Sequence, residues 1–253
     1  MLMNRFLRGR LRHDLSQTEL AALENAVSRT IALGPRETLV ERGDRLEHSY
    51  YLIEGVMLRH LDDQRGQRQL LEVNIPGDFV DLHGYAMKRL DHSVQSLTAV
   101  RLAEVPHTEL SRLVATMPHL ARALWFSTLL DAAMHREWIF RLGRLNAEGR
   151  IAHLIVELAE RLRLVDLFDE GELPVPLLQR DYAEACGISP VHANRSFRTL
   201  KDRGAILMEG EARLRILDEK QLRDLAQFDS SYLYGTGVLS LEALVDRDEH
   251  ARR

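Results

Sequence analysis

Arginine, lysine and asparagine recur at helical spacing between residues 189 and 201, and these side chains can bind nucleic acid. Arginine pairs with guanine, and asparagine with adenine, through two hydrogen bonds in the DNA major groove. Basic side chains can instead hold phosphates, which positions a protein without reading sequence. We expect Arg195 to contact a base and Arg198 and Lys201 to contact phosphates, although these roles can be exchanged. The predicted DNA-binding residues are Ser189, Pro190, Val191, His192, Asn194, Arg195, Arg198 and Lys201.

The residues that must position this stretch follow the pattern of a helix-turn-helix. Ala183 is small enough for a second helix to cross closely, and Gly187, four residues later, can adopt the positive φ of a tight turn. Ile188 would plug the core after the turn. Ser189 and Pro190 then supply an N-cap and a first helical residue. These features predict a DNA-binding helix pair, and the alternative is a plain helical pair with a solvated basic face.

A predicted hairpin follows the second helix, as in a winged helix-turn-helix. Residues 205–208 and 214–217 form two short apolar runs, with a Glu-Gly-Glu turn around Gly210. Arg213 or Arg215 on this wing could reach the backbone of an adjacent DNA segment.

The basic character of this region is local. The whole chain has a formal net charge of −4, which is not typical of a nucleic-acid-binding protein. Residues 187–215, however, contain six arginine and lysine residues against three acidic ones. That excess of positive charge is the kind of surface that DNA binding needs.

Length and composition indicate two ordinary domains joined by a long connector, since the chain has 253 residues, 45% of them hydrophobic and 28% charged. No apolar run approaches the roughly 20 residues of a membrane helix. The N-terminus lacks the apolar region of a signal peptide, so we expect a cytoplasmic protein without membrane contact. The single cysteine, Cys186, excludes an internal disulfide and a cysteine-held iron–sulfur cluster within one chain. We expect it to fill the core, with a redox switch as the alternative.

Short β-type runs separated by glycines occupy the region from about residue 31 to residue 105. Strands at this spacing predict an antiparallel sandwich or barrel. A short helix over residues 15–29 should precede them, capped by Ser16 with Glu19 at the capping-box position. The predicted strands are 38–40, 50–53, 56–58, 70–73, 94–100 and 102–105.

Helices are predicted after the strands. Thr108 is placed to cap one helix, and Pro118 marks the start of a longer one that reaches about Arg144. The apolar stripe of the longer helix is wider than one face needs, so we expect it to contact its own β domain and the same helix of a second subunit. The alternative is burial inside one subunit. Residues 146–163 predict another amphipathic helix and 166–176 a loop.

These features together resemble the Crp/Fnr family of bacterial transcription regulators, over about residues 15–228. The resemblance is carried by the sequences YYLIEGV at 50–56, PGDFV at 76–80 and GISPVHANR at 187–195. It implies an α+β fold with an N-terminal antiparallel, cyclic-nucleotide-binding-like β-roll, a long dimerisation helix and a C-terminal winged helix-turn-helix. The corresponding domains are 1–117, 118–145 and 146–228, followed by an extension, 229–253, of unassigned role.

The family resemblance also implies partners. These are a second copy of the chain in a homodimer, a two-fold symmetric double-stranded DNA site with half-sites about one helical turn apart, and RNA polymerase. The competing function is a ligand-binding module that acts through protein partners without reading DNA. We do not expect an enzyme, because no His-Glu-x-x-His, phosphate-loop or Gly-x-Ser-x-Gly pattern occurs.

The effector is where this sequence departs from family members that bind cyclic AMP. Their Gly-Glu pair is replaced by Asp81 and Leu82, and Arg89 is not followed by serine. An aspartate would repel phosphate and a leucine cannot bind ribose, so we expect no cyclic AMP and no cofactor. Haem or a metal on His83, Met87 or His92 is the alternative to ordinary surface histidines. The candidate effector-pocket residues are Asp81, Leu82, His83, Arg89, His92 and Ser93.

Overall fold

The computed structural model describes residues 1–10, 14–169 and 171–234. A capped helix precedes the sheets: α1 (Gln17–Asn25) begins after Ser16, whose hydroxyl accepts the N–H of Glu19 while the Glu19 carboxylate accepts the N–H of Ser16. The predicted capping box is therefore confirmed. The predicted end of this helix at residue 29 is wrong, because Arg29 opens the first strand and pairs with Glu104, 75 residues away.

The N-terminal half is built from antiparallel strands, as predicted. The strands are β1 (Arg29–Leu33), β2 (Thr38–Val40), β3 (His48–Glu54), β4 (Met57–Asp62), β5 (Arg68–Asn74), β6 (Ser93–Ser96) and β7 (Val100–Pro106), with a short helix α2 (Gly84–Met87) before β6. One sheet has the order β1-β7-β3 and the other the order β2-β6-β4-β5. Leu52 and Leu102 face each other across β3 and β7 and are fully buried in the core.

The single strand predicted over residues 94–100 is wrong, because β6 and β7 are separated by a turn at residues 97–99. This turn packs against the tight turn at Gly55, which has φ +88°. The Thr98 hydroxyl accepts the N–H of Val56 at 3.0 Å. A Cβ at position 55 would lie 2.3 Å from the carbonyl oxygen of Ala99, so only glycine fits there.

Two helices follow the sheets: α3 (His107–Thr116) and α4 (Pro118–Arg144), which is 27 residues long. The start of α4 at Pro118 was predicted. Thr108 does not cap α3, because the strand β7 runs directly to Pro106 and the helix begins one residue earlier, at His107, whose N–H bonds to the carbonyl of Glu47. None of the described helices is both long enough and apolar enough to cross a membrane.

The C-terminal half consists of α5 (Ala147–Leu164), β8 (Glu172–Leu173), α6 (Gln179–Cys186), α7 (Pro190–Asp202), β9 (Ile206–Glu209), β10 (Arg213–Ile216), α8 (Glu219–Ala226) and α9 (Ser231–Tyr234). Asn146 caps α5 by accepting the N–H of Gly149. The small sheet has the order β8-β10-β9. The segment predicted as a loop therefore contains a short strand, which pairs with β10 beyond the helix pair. Most of the C-terminal extension, 235–253, lies outside the described residues.

The two halves share one apolar core, because α5 is covered on both sides. Ile151, Ile155 and Leu158 of α5 cluster with Leu58 and Leu70 of the β domain. The predicted core face of α5 is buried, and so are residues on its other faces.

Arg161, a buried residue of α5, forms hydrogen bonds between the two halves. It donates to the carbonyl of Val73 at 2.9 Å and to the carboxylate of Asp78 at 2.6 Å. These hydrogen bonds hold α5 against the end of β5 and the turn that follows it.

Candidate nucleic-acid interface and effector cavity

The turn between α6 and α7 has the geometry that its residues predict. Gly187 ends α6 in the left-handed conformation, with φ +59°. Ser189 then caps α7, because its hydroxyl accepts the N–H of His192 at 3.2 Å, and Pro190 is the first residue of the helix. Ile188 is half-buried against the shared core. The second helix is thus aimed by local interactions that the sequence encodes.

The helix pair is held rigidly on its inner side. The rings of Tyr182 and Phe197 meet edge to face, with centroids 5.0 Å apart. Arg141 of α4 donates to the carbonyl of Ala185, and Arg150 of α5 donates to the carbonyl of Cys186. These arginines satisfy carbonyls at the end of α6 that have no partner within the helix.

The outer face of α7 is exposed and basic. All eight predicted DNA-binding residues are exposed. Asn194 donates to the side chain of Gln179 at 3.2 Å, so α6 partly orients it. The side chains of Arg195, Arg198 and Lys201 form no hydrogen bond or ion pair within the described chain, and this face is not neutralised by the protein itself.

The wing extends beside this face. Gly210 takes φ +68° at the turn between β9 and β10. The Arg213 side chain is 70% exposed and lies 3.9 Å from the carboxylate of Glu209, and Arg215 is also exposed. An ion pair this exposed contributes little, so Arg213 is free to exchange its partner for a phosphate.

The helix α4 presents a second exposed surface, which we call the α4 stripe. Its large apolar residues are Trp125 (65% exposed), Leu129 (49%), Ile139 (70%) and Phe140 (41%). On the other side of the helix, Leu124 and Leu130 are buried in the apolar cluster of the N-terminal half, and Met134 is buried as well. Burial inside one subunit, the alternative considered from the sequence, is therefore wrong for the α4 stripe.

A cavity of about 450 Å³ lies between the β domain and α4. Its walls are mainly apolar, with Leu70 from β5 and Trp138 from α4 among them. Three imidazoles, those of His83, His92 and His135, also line it. This is the place in the molecule where a small effector could contact both the β domain and the long helix.

Of the six candidate effector residues, His83 and His92 line this cavity and the others do not. Leu82 packs in the apolar cluster of the N-terminal half. Arg89 donates to the carbonyl of Gly43, and Ser93 donates to the carboxylate of Glu41.

Asp81 is fully buried and does not line the cavity. One of its carboxylate oxygens accepts the N–H of Tyr50 at 2.7 Å, and the other has no hydrogen-bond partner within the described residues. Burial raises the pKa of Asp81 to about 7. Asp81 therefore accepts a hydrogen bond from the backbone and is not placed to contact a ligand in the cavity.

Arg59 is the arginine among the residues that line the cavity, but its donors are already engaged. It donates to the carbonyls of Phe79 and Val80, to the carboxylate of Glu72 at 2.6 Å and to that of Asp131 at 2.9 Å. Its charge is therefore neutralised by two acids. A phosphate in this cavity would find no uncompensated cation among the lining residues.

The histidines at the cavity wall form a compact group with Asp91. The rings of His83 and His92 have centroids 5.1 Å apart, and Nδ1 of His92 lies 2.8 Å from the carboxylate of Asp91. Burial and the charge of Arg59 lower the pKa of His83 to about 3 and that of His92 to about 4. Met87, considered with them from the sequence, lines the cavity but is 53% exposed.

Sequence reasoning missed Arg59 and His135. Arg59 has no local signal, because its partner Asp131 lies 72 residues away. His135 is polar within the apolar stripe of α4, which could have identified it as a residue with a special environment.

Two protein-family models match the chain. Residues 30–117 match a cyclic nucleotide-binding domain, and residues 149–225 match a Crp-like helix-turn-helix domain. The first match covers the β domain and α3, and the second covers α5 to most of α8.

Proteins of similar sequence are transcription regulators. The transcriptional activator protein FnrL of Cereibacter sphaeroides is 28% identical over 84% of this chain and 86% of its own length. The nitrogen fixation regulation protein FixK of Bradyrhizobium diazoefficiens is 25% identical over 76% of this chain and 80% of its own. The structure of FixK2 from Bradyrhizobium japonicum matches with a TM-score of 0.72 at 19% identity, over 78% of this chain and 96% of that one, which shows a shared fold.

Proposed function

This chain belongs to the Crp/Fnr family of transcription regulators, and we propose that it acts as a homodimer that binds a two-fold symmetric DNA site through its paired α7 helices. The observation that carries the proposal is the outer face of α7, where Arg195, Arg198 and Lys201 are exposed on a well-packed helix and have no partner among the described residues. Such a surface can exchange counterions for DNA phosphates and present side chains to base edges.

Individual contacts follow from position on the helix. Arg195 and Asn194 lie on the outward face and would reach base edges in the major groove. Arg198 and Lys201, further along the helix, would hold phosphates. Residues 189–192 sit at the N-terminal end of α7, where backbone N–H groups and the helix dipole favour phosphate. The wing arginines would add backbone contacts on the flanking segment.

The α4 stripe supports the homodimer. Four large apolar residues exposed along 27 helical residues suit the same helix of a second copy, since a two-fold axis places identical stripes against each other. Two α7 helices would then be held about one helical turn of DNA apart.

The effector is proposed to bind the cavity between the β domain and α4, where it would bias the orientation of α4. Cyclic AMP is a poor fit, because Arg59 is already paired with Glu72 and Asp131. A dimer bound to DNA would activate or block transcription through contact with RNA polymerase, in the cytoplasm. We do not propose an enzymatic activity.

Selection from a pool of random DNA duplexes tests this function. We expect wild-type protein to enrich a two-fold symmetric motif, and Arg195→Ala to lose it or relax it at one position of each half-site. Arg42→Ala is the matched control, because Arg42 is exposed on the β domain, away from α7, and should leave the motif unchanged. If no condition enriches a motif while the protein remains folded, a module that acts through protein partners becomes the better description.

A further inference from the structure

We propose that His83, His92 and Asp91 form a binding site for a divalent transition-metal ion at the wall of the cavity. Two imidazole nitrogens and one carboxylate oxygen are the donors that Zn²⁺, Co²⁺ and Fe²⁺ accept in proteins. Such an ion would be the effector or a part of it. Its effect on DNA binding rests on the proposed function, whereas the metal site itself does not.

The three donors already converge. One ligand atom from each residue lies within 4.8 Å of the others. Bonds of about 2.1 Å to a common ion would bring such atoms to about 3 to 4 Å from one another, so only a small closure is needed. His83 precedes α2, and Asp91 and His92 immediately precede β6, so one short loop-helix segment carries the whole group.

His92 is oriented as a ligand. Its Nδ1 lies 2.8 Å from the Asp91 carboxylate, so these two donors are already adjacent. Its Nε2 has no hydrogen-bond partner within the described residues, and the whole side chain is buried, with only 7% exposed. A buried nitrogen without a partner is costly, so the protein's own groups do not fully satisfy the His92 side chain.

The arrangement leaves an open coordination position on the cavity side. Three protein ligands are typical of sites that keep such a position. The opposite wall is α4, from which His135 also lines the cavity, with its Nε2 3.5 Å from the carboxylate of Glu72. A bound ion, with a small molecule completing its coordination, would thus link the segment before β6 to the helix that carries the α4 stripe.

Cobalt binding to the full-length protein tests the site directly. After treatment with a chelator, the protein is titrated with Co²⁺ and followed by its visible d–d absorption, and Zn²⁺ binding is measured by calorimetry. We expect saturable binding of one ion per chain, and a loss of affinity of about tenfold or more in both His83→Ala and His92→Ala.

His119→Ala is the matched control, because His119 bonds to Glu19 on α1 and does not line the cavity, and it should bind Co²⁺ like wild type. Thermal unfolding and circular dichroism establish that each variant is folded, and His92→Gln preserves bulk if His92→Ala does not fold. Absence of saturable binding to wild type, or equal binding by the folded His83 and His92 variants, would overturn the site.

DNA affinity with and without Zn²⁺ is measured separately, on the enriched motif. A change in wild type that is absent in His92→Ala supports the metal as effector. Metal binding that leaves DNA affinity unchanged overturns the regulatory part of the inference and leaves both the site and the DNA-binding function standing.

Discussion

The guanidinium of Arg36 forms two hydrogen bonds with the carboxylate of Asp181, with Nη1 3.0 Å from Oδ1 and Nη2 2.8 Å from Oδ2. The residues are 145 positions apart, and the pair joins the turn between β1 and β2 to the first helix of the helix-turn-helix. The same carboxylate accepts the N–H of Leu178 and so also caps α6. The carboxylate of Asp181 therefore links the helix-turn-helix to the β domain and stabilises the start of α6 at the same time.

Arg36→Ala should lower the free energy of unfolding by about 2 to 4 kcal/mol, because the Asp181 side chain is only 1% exposed and would keep a buried charge without its partner. Urea denaturation measures this. Arg101→Ala is the matched control, since its ion pair with Glu54 is exposed and should contribute less than about 1 kcal/mol. Equal losses in the two variants would mean that the Arg36–Asp181 pair is no more than a surface contact.

Lys201→Ala should weaken DNA binding by a similar factor on every sequence and reduce the slope of log affinity against log salt by about 1, because a phosphate contact releases counterions without reading bases. Arg195→Ala should instead cost about 1 to 3 kcal/mol on the preferred site and less on unrelated DNA. Fluorescence anisotropy, measured across a salt series on the preferred site and on unrelated DNA, distinguishes a phosphate contact from a base contact. If the two variants behave in the opposite way, their roles are exchanged.

Trp125→Glu should convert the dimer to monomers, because it places a charge in the middle of an apolar contact between two copies of α4. Sedimentation equilibrium measures the change. Val114→Glu is the control, since Val114 is exposed on α3, away from the α4 stripe, and should leave the mass unchanged. A wild-type protein that is monomeric at all concentrations would contradict the proposed assembly.

Asp81→Asn should change how stability depends on pH. Burial raises the pKa of Asp81 from 3.8 to about 7, so the folded protein holds a proton that the unfolded chain releases. Stability is therefore lost as pH rises from about 4 to 7, by on the order of 4 kcal/mol in total, and does not change further above that. The amide oxygen of asparagine can still accept the N–H of Tyr50, but asparagine does not titrate.

The measured quantity is the difference in unfolding free energy between Asp81→Asn and wild type, from pH 4 to 8, because other titrating groups cancel in it. It should move in favour of the variant as pH rises and then level off. Asp202→Asn, on the exposed face of α7, provides the control with a flat difference. A flat difference for Asp81→Asn would show that its carboxyl is ionised throughout this range.

Cys186 should not react with Ellman's reagent in the native protein, because its side chain is fully buried and burial raises the pKa of its thiol to about 11. One thiol per chain should react in urea. Lys220→Cys, at an exposed position of α8, provides a thiol that reacts without denaturant. Rapid modification of Cys186 in native protein would restore the redox switch as an explanation.

Features that depend on neighbouring residues were predictable. The capping box of Ser16 and Glu19, the start of α4 at Pro118 and the turn at Gly187 all involve hydrogen bonds or φ angles within a few positions. Element ends that depend on distant pairing were not. Arg29 belongs to a strand because Glu104 lies opposite it, and no pattern around residue 29 contains that information.

The sequence by itself determined the class of fold and the exposed basic face of α7, because helix periodicity turns Arg195 and Arg198 away from the buried side that carries Phe197. Only the tertiary structure decided which effector residues meet. It buried Asp81 and Leu82 away from the cavity and brought His83 and His92 to its wall. The physical reason is that burial and long-range partners, such as Asp181 for Arg36, exist only once distant segments pack together.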